Sequence, residues 1–382
     1  MSKYTDTKNR SYGPKIEKIS LSKDNAGQKL FLAGVFLVVG VIFIASAVYR
    51  MLAAKPGLIL VETYSSYGKT IAGDFDFYYS LGEGEMSPSS EKRELTNLYS
   101  GITSEIYEAF NTYEESEKFN NLCYLNSHIN TEAEVPKVLY DALKKASDTG
   151  FTYIYMAPIY ETYNGIFSCE EDYQTESFDP SVNPDVRADF ENILKFVNDR
   201  EAVNLEFLGD NKLILHVSKA YEEFAKNDGI TKFVDFYLYE NAFAIDVIAD
   251  TLQENGFDKG YLESFDGYVR VLSGYDKELN ISLYVRDGSR VSEREEKLTP
   301  EPGSSFVALR DYPVNGSMME YMYEKDDGSY ILPYISMDEG VVKLRSHNVY
   351  GYSVDKGCAE ILPLLLQEFI GDGTSDKLDF EY

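Results

Sequence analysis

The chain has 382 residues, of which 36 are Lys or Arg and 64 are Asp or Glu, so its formal net charge is −28. This acidity argues against a nucleic-acid partner, because contacts to phosphate require Lys and Arg on one face. The three cysteines and three histidines lack CxxC or HExxH spacing, which argues against a zinc centre and leaves any cysteine pairing open.

An apolar segment near the N-terminus indicates where the chain works. Residues 31–49 carry no charge, and a helix of that length nearly spans a hydrocarbon core about 30 Å thick. Seven basic residues precede the segment and few follow it, which favours a cytoplasmic N-terminus. We therefore predict a single-pass protein of the cell membrane, with a cytoplasmic tail at 1–29, a transmembrane anchor at 30–50 and an extracytoplasmic main domain. A cleaved signal peptide is the alternative, because Ala45, Ser46 and Ala47 resemble a cleavage site.

The region at 51–93 is predicted to contain strands and a linker leading into the main domain. Residues rich in β-branched and aromatic side chains predict strands at 58–63 and 75–80, and Gly, Ser, Pro and charged residues predict a loop at 82–93. Apolar residues at helical spacing then predict a helix at 94–112, followed by a short turn-flanked segment at 120–126.

The main domain, at 94–372, mixes helices and strands without strict alternation. The remaining predicted segments are helices at 136–147, 186–197, 243–255 and 359–369, strands at 205–208, 212–217, 261–263, 268–272 and 281–286, loops at 169–184 and 287–303, and a C-terminal tail at 373–382. Gly256 is predicted to end the third of these helices. The fold class is therefore α+β, as one compact unit of two interleaved lobes.

With this order of segments, the chain resembles the ApbE family of FAD:protein FMN transferases over residues 65–372. The segments that carry the resemblance are EIYEAFNTYEESEKFNNLCYLN at 105–126, VPKVLYDALKKASD at 135–148 and VDFYLYENAFAIDVIADTLQENGFDKGYLESFDGYVRVL at 234–272. The resemblance implies an ApbE-like flavin transferase fold, here preceded by one N-terminal transmembrane helix. It also implies a crevice for FAD, with a Mg²⁺ ion on the pyrophosphate and a threonine hydroxyl of a partner protein as the attacking group.

The resemblance assigns cofactor and metal positions to particular residues of this chain. The cofactor positions are Asn241, Ala242, Asp266, Gly267, Asn315, Gly316 and Ser317, and the metal position is Glu360. Most of them depart from the family pattern: Asn241 replaces a lysine, Asp266 replaces a glycine, and Leu364 replaces a threonine of the metal motif. The family's His-Ile-Ile-Asp-Pro signature corresponds to residues 332–336, where neither its histidine nor its aspartate is present.

These departures predict a degenerate, inactive family member that retains at most flavin, nucleotide or partner binding, so we assign no catalytic residue. The expected partner is a flavoprotein or a subunit of a membrane complex. The alternative is active Mg²⁺-dependent transfer of FMN from FAD to a threonine of an extracytoplasmic electron-transfer protein, which requires Glu360 and Asp338 to replace lost ligands. A purely structural surface protein is a third hypothesis.

Several of these residues also have structural explanations. Glu360 is placed to interact with the N-terminal end of a helix, and Asp266-Gly267 and Asn315-Gly316 are favourable turn dipeptides on any fold. Asp246 and Asp250 lie four residues apart on one predicted helix face, which suits either a metal or a solvated acidic surface.

Overall fold

The computed structural model describes residues 26–52, 54–288 and 290–371. The predicted cytoplasmic tail at 1–29 lies outside these residues except for 26–29, and the predicted C-terminal tail at 373–382 lies wholly outside them. The chain divides into two units, Met1–Ala54 and Lys55–Tyr382.

The described part of the first unit is one long helix, α1 (Ala26–Leu52). Large apolar side chains are exposed along it, including Leu30, Phe36 and Phe43. Among the residues whose placement is described, no helix combines the length and the hydropathy that a membrane crossing requires.

The second unit mixes helices and strands, as predicted for an α+β protein. Its helices are α2 (Pro88–Ala109), α3 (Leu122–Ser127), α4 (Lys137–Asp148), α5 (Ala157–Tyr163), α6 (Asp172–Thr175), α7 (Pro184–Val197), α8 (Lys219–Asp228), α9 (Glu240–Glu254) and α10 (Cys358–Ile370). Its strands are β1 (Gly57–Leu60), β2 (Phe75–Leu81), β3 (Glu132–Glu134), β4 (Val203–Gly209), β5 (Lys212–Val217), β6 (Gly260–Ser264), β7 (Tyr268–Val271), β8 (Ile281–Asp287), β9 (Arg290–Leu298), β10 (Ser305–Arg310), β11 (Tyr323–Glu324), β12 (Tyr330–Ile331) and β13 (Asn348–Ser353).

A six-stranded antiparallel sheet with the order β1-β2-β6-β7-β10-β13 organises this unit. Because side chains alternate along a strand, the sheet has two differently packed faces. On one face α2, α9 and α10 pack over the sheet, and Phe77, Leu262 and Val307 are completely buried. On the other face Tyr261 and Phe306 belong to a second apolar cluster, which is covered in part by side chains of the β8–β9 hairpin.

Smaller sheets surround this core. Strands β3, β5 and β4 form an antiparallel three-stranded sheet, in which β4 and β5 make the predicted hairpin. The helix predicted at 243–255 is confirmed as α9, and Gly256 follows it with a φ of +83°, a conformation that glycine adopts readily. This helix matters most for the site, because its first turn carries two of the predicted cofactor positions.

Three loop predictions were wrong in part. The segment at 169–184 contains the short helix α6 and ends at the first residue of α7. The segment at 287–303 contains the strand β9, which pairs with β8 through a turn that includes Gly288 at a φ of +60°. Most side chains of β9 are exposed and charged, so the strand lacks the apolar alternation that would identify it from sequence. The loop at 82–93 ends early, because Ser87 caps α2 and Pro88 occupies its first turn.

Candidate functional site

The predicted cofactor positions of three separate segments meet beside the first turn of α9. Asn241 and Ala242 lie in that turn and are buried. The side chain of Asn241 interacts with the Asp266 carboxyl in the turn between β6 and β7. On the other side of that turn, Asn315 Nδ2 donates a hydrogen bond to the Phe265 carbonyl at 2.7 Å. The structure therefore brings these predicted residues together.

Gly267 in the same turn has a conformational reason to be glycine. Its φ is +109°, and a Cβ atom built there would lie 2.7 Å from the Ala308 carbonyl oxygen. Gly316 and Ser317, by contrast, are exposed at the start of the short 3-10 helix Ser317–Tyr321, and the φ of Gly316 is an ordinary −67°. Gly267 is thus required by the turn itself, independently of any ligand.

Four carboxyl groups from three segments lie near this position, and we call them the acidic recess: Asp74, Asp235, Glu240 and Asp266. Each is half-buried, so each keeps some contact with solvent. Burial is nevertheless the largest cause of the raised pKa of all four groups. These four carboxyl groups are therefore strongly desolvated although they are still partly accessible to solvent.

Repulsion from neighbouring carboxyl groups adds to the effect of burial at three of these four residues, Asp74, Glu240 and Asp266. Burial, followed by repulsion from Asp235, Asp74 and Asp266, raises the pKa of Glu240 to about 8. Burial raises the pKa of Asp266 to about 6 although Ser264 and Asn241 oppose the shift, and burial with repulsion from Glu320 raises that of Asp74 to about 6. At neutral pH the recess therefore holds fewer charges than it has carboxyl groups, and it resists further negative charge.

Aromatic rings line the recess in a continuous series, which we call the aromatic rim: Tyr160, Tyr237, Tyr321 and Phe265. The ring centroids of Tyr160 and Tyr237 are 4.7 Å apart, and those of Tyr237 and Tyr321 are 6.4 Å apart. Tyr321 stacks on Phe265 at 6.0 Å, with an angle of 7° between the ring planes. Burial raises the pKa of the Tyr321 hydroxyl, and repulsion from Asp266, Asp74 and Glu240 adds to this shift, so Tyr321 is the ring of this series that lies beside the carboxyl groups.

The backbone of Tyr237 has an unusual conformation. Its φ is +42°, a region that a bulky residue rarely adopts. The Asp235 carboxylate stabilises this conformation, because its Oδ1 accepts a hydrogen bond from the Tyr237 N–H at 3.0 Å, while its Oδ2 accepts one from the Thr112 hydroxyl at 3.2 Å. Asp235 therefore has a structural role as well as a place in the acidic recess.

Glu360, the predicted metal position, has different partners. Its Oε2 accepts a hydrogen bond from the Gly357 N–H at 3.0 Å and lies 3.4 Å from Lys145 Nζ. Glu360 thus caps the first turn of α10, the structural role considered above for this residue. Active FMN transfer would also require Asp338 as a replacement ligand, and Asp338 is exposed in the loop after β12.

Asp246 and Asp250 form an ion-pair network instead of a bare acidic face. Asp246 is buried, and its two oxygens accept hydrogen bonds from the N–H groups of Cys358 and Ala359, both at 2.9 Å. Arg270 lies between the two carboxylates, 3.2 Å from Asp246 Oδ1 and 3.0 Å from Asp250 Oδ1. This network joins α9, β7 and the first turn of α10.

A separate cavity of about 280 Å³ lies beside α10. Its walls include Phe151, Tyr153, Pro363 and Leu366, with Asn198, Asp338 and Gln367 as polar groups. None of the predicted cofactor positions lines this cavity, so it is distinct from the recess.

Sequence reasoning missed the residues that give the recess its character. Asp74, Glu240, Tyr237 and Tyr321 were not selected, because they carry no local motif and because Asp74 and Tyr321 come from segments distant along the chain. The one available signal was proximity along the chain, since Glu240 directly precedes Asn241.

Solved structures resemble this arrangement of helices and strands. The flavin transferase ApbE from Vibrio cholerae superposes with a TM-score of 0.51 over 82% of this chain and 86% of its own, at 16% sequence identity. A histidine-to-glycine variant of it gives 0.50 over 78% and 84%, at 18% identity. The fold is shared with ApbE. No protein-family model and no curated protein matches the sequence.

The residues at the site do not fit the FAD and Mg²⁺ that this fold suggests. A pyrophosphate needs positive or amide neighbours, whereas the acidic recess presents four carboxyl groups, and Asn241 stands in place of a lysine. Within the described residues, no group of three His, Cys, Asp or Glu side chains is arranged to hold a metal ion. The chain therefore has an ApbE-like fold, but its site carries acidic groups where pyrophosphate binding would need positive or amide groups.

Proposed function

We propose that this chain is a non-catalytic protein with the flavin transferase fold, displayed on the outer face of the cell membrane. In this proposal the domain binds a partner through the recess and does not transfer FMN. The partner is a flavoprotein or another subunit of a membrane complex.

The acidic recess is the observation that carries the proposal. FMN transfer from FAD develops negative charge on phosphate, which an active site must neutralise with a cation or with hydrogen-bond donors. Here burial, with repulsion from neighbouring carboxyl groups added to it, already raises the pKa values of Asp74, Glu240 and Asp266. Loss of one stabilising group typically costs several kcal/mol of transition-state stabilisation, so a reversed charge is incompatible with useful turnover.

The membrane position is supported by composition. Residues 31–49 are uncharged, and large apolar side chains of α1 are exposed from Leu30 to Ile44. The side chains of 30–46 are described, and at a rise of about 1.5 Å per residue this stretch alone is shorter than a hydrocarbon core of about 30 Å. The anchor is therefore proposed for the whole segment at 30–50.

The proposal is tested by incubating the purified full-length chain with FAD, Mg²⁺ and a threonine-containing acceptor domain. We expect no AMP release above a reaction without the chain, and no covalent flavin on the acceptor. The flavin transferase ApbE from Vibrio cholerae, with its own acceptor, serves as the positive control. AMP release that depends on this chain, accompanied by flavin on an acceptor threonine, would instead establish the active alternative.

A further inference from the structure

We propose that the cavity beside α10 is a binding site for a small aromatic amine. This site goes beyond the function proposed above, because the cavity is separate from the acidic recess. The chemical class of the ligand follows from the volume of the cavity, from its buried apolar floor and from the acceptor groups at its mouth.

The volume of the cavity limits the size of the ligand. It is about 280 Å³. An apolar cavity of about 150 Å³ in a protein interior binds benzene, and the pockets of drug-sized ligands begin at about 300 Å³. The cavity therefore suits one bicyclic aromatic ring with a short side chain.

The floor of the cavity is apolar and is fixed by its own packing. Four buried side chains line it: Phe151, Tyr153, Met337 and Leu366. The rings of Phe151 and Tyr153 stack with their centroids 5.7 Å apart. The Tyr239 ring packs against both of them, at 5.2 Å and 5.5 Å. Because these rings hold one another, the floor is formed before a ligand binds, which lowers the cost of binding.

The mouth of the cavity carries polar side chains that are exposed to solvent: Asn198, Asp338 and Gln367. Asn198 Nδ2 donates a hydrogen bond to the Met337 carbonyl at 2.8 Å, so the amide oxygen is the acceptor that remains for a ligand.

The charge at the mouth is negative and uncompensated. Among the residues whose placement is described, no Lys, Arg or His lies within 4.0 Å of the Asp338 carboxylate, whereas the adjacent Glu339 pairs with Lys343. An ammonium group would pair with this carboxylate, and the net charge of −28 also attracts cations to the surface.

The wall formed by α10 contains a proline in the interior of the helix. Pro363 lines the cavity and has no N–H group, so the Ala359 carbonyl one turn earlier lacks its usual helical donor. Proline at such a position destabilises a helix, and here it adds a rigid apolar ring to the cavity wall. An aromatic ring in the ligand would pack against this wall and the floor, while its amine reaches the mouth.

The test is equilibrium dialysis of the full-length chain against tryptamine at pH 7, where the amine is protonated. The same detergent is present on both sides of the membrane, so partition into micelles cancels. The chain contains no tryptophan, so indole fluorescence reports the ligand without a protein background. We expect saturable binding with a dissociation constant of about 0.1 mM, an ordinary value for a molecule of about a dozen non-hydrogen atoms.

Two ligands and three variants locate the binding. The neutral analogue 3-ethylindole and the Asp338→Asn variant should each weaken binding about fivefold, the loss of one partly solvated charge contact. Glu339→Gln, the exposed carboxylate next to Asp338, is the matched control and should leave binding unchanged. Gln367→Phe places a ring at the mouth and should weaken binding more than tenfold. Thermal unfolding of each variant checks that the chain is folded.

Three results would overturn the proposal. The first is bound tryptamine that rises linearly up to about 1 mM, ten times the expected dissociation constant. The second is equal binding of 3-ethylindole, and the third is tryptamine binding that neither Asp338→Asn nor Gln367→Phe weakens. FMN transfer is measured separately by AMP release, so the two proposals fail independently.

Discussion

Glu240 occupies the first position of α9, where the helix dipole ordinarily favours an ionised carboxylate. That effect is worth about 0.3–1 kcal/mol, whereas each unit of pKa shift corresponds to about 1.4 kcal/mol. The pKa of Glu240 is nevertheless raised from 4.5 to about 8 by burial and by Asp235, Asp74 and Asp266. Desolvation and repulsion therefore outweigh the dipole at this residue by several-fold.

This balance predicts how Glu240→Gln changes stability with pH. A carboxyl group whose folded pKa is raised binds its proton more tightly in the folded state, so the folded state loses stability as pH rises from about 4.5 to about 8. The glutamine variant lacks this loss. We expect it to match the parent chain near pH 4.5 and to be more stable than the parent at pH 9, as measured by urea unfolding at both values.

An exposed carboxylate provides the control for this experiment. Glu94→Gln on the surface of α2 should give the same small difference at both pH values. A stability difference for Glu240→Gln that stays constant between pH 4.5 and 9 would show that Glu240 ionises normally in the folded chain.

Only part of the site was predictable at the residue scale. Asn241, Asp266 and Asn315 were selected because the resemblance aligns them with family positions, and the structure does bring their segments together. Asp74 and Tyr321 come from distant parts of the chain, and nothing in a single sequence indicates that such distant residues lie close together in the fold. The charge of the recess therefore emerged from the fold and not from any motif.

At the scale of secondary-structure elements, one buried ion pair connects the helix layer to the sheet. Asp246 on α9 accepts the first N–H groups of α10, and Arg270 on β7 neutralises it at 3.2 Å. Ser305 on β10 also accepts a hydrogen bond from Arg270, at 2.8 Å. Arg270 thus connects β7 to α9 and β10, and Asp246 in turn binds the first turn of α10, so this guanidinium fixes how α9, α10 and the sheet meet.

Arg270→Met should therefore destabilise the fold strongly. Removing one partner of a buried pair leaves an uncompensated charge and costs about 3 kcal/mol. Burial already raises the pKa of Asp246 to about 6 against the opposing charge of Arg270, and without that charge the pKa rises further. The loss in unfolding free energy should accordingly be larger at pH 8, where the isolated carboxylate must be ionised or take up a proton, than at pH 5.

The exposed pair of Arg187 and Glu191 on α7 is the matched control for urea unfolding of this variant. Arg187→Met removes an ion pair of 3.2 Å between two largely exposed side chains and should cost less than about 1 kcal/mol at either pH. Equal small losses for the two arginine variants would contradict the role assigned to Arg270.

Elements with strong apolar periodicity were predicted well, and solvated elements were not. The helix α9 and the strands β6 and β7 bury one or both faces, so their sequences record that burial directly. Strand β9 is stabilised by pairing with β8 while its own side chains remain largely exposed, so its sequence is typical of a charged loop. The helix α2 begins early because Ser87 caps its first turn. Helix propensity alone does not predict this start, because the glycines before Ser87 favour a loop.

At the scale of the whole molecule, charge is distributed unevenly along the chain. The segment before residue 31 is basic, whereas the net charge of the full chain is −28, so the unit after residue 54 is strongly acidic. Seven basic residues precede the apolar segment and only Arg50 and Lys55 follow it closely, which is the pattern that the positive-inside rule describes. The acidic recess is thus one local part of a domain whose general surface also favours cationic partners.

This asymmetry predicts the orientation of the full-length chain. With one epitope tag before Met1 and another after Tyr382, protease added to intact cells should remove the C-terminal tag and leave the N-terminal tag protected until the cells are lysed. A cleaved signal peptide would instead give a mature protein that has lost the N-terminal tag.

Replacing Lys18, Lys23 and Lys29 with glutamate removes much of the charge bias and should produce a population with mixed orientation. Protection of the C-terminal tag in intact cells would place the recess in the cytoplasm, where an extracytoplasmic partner could not reach it.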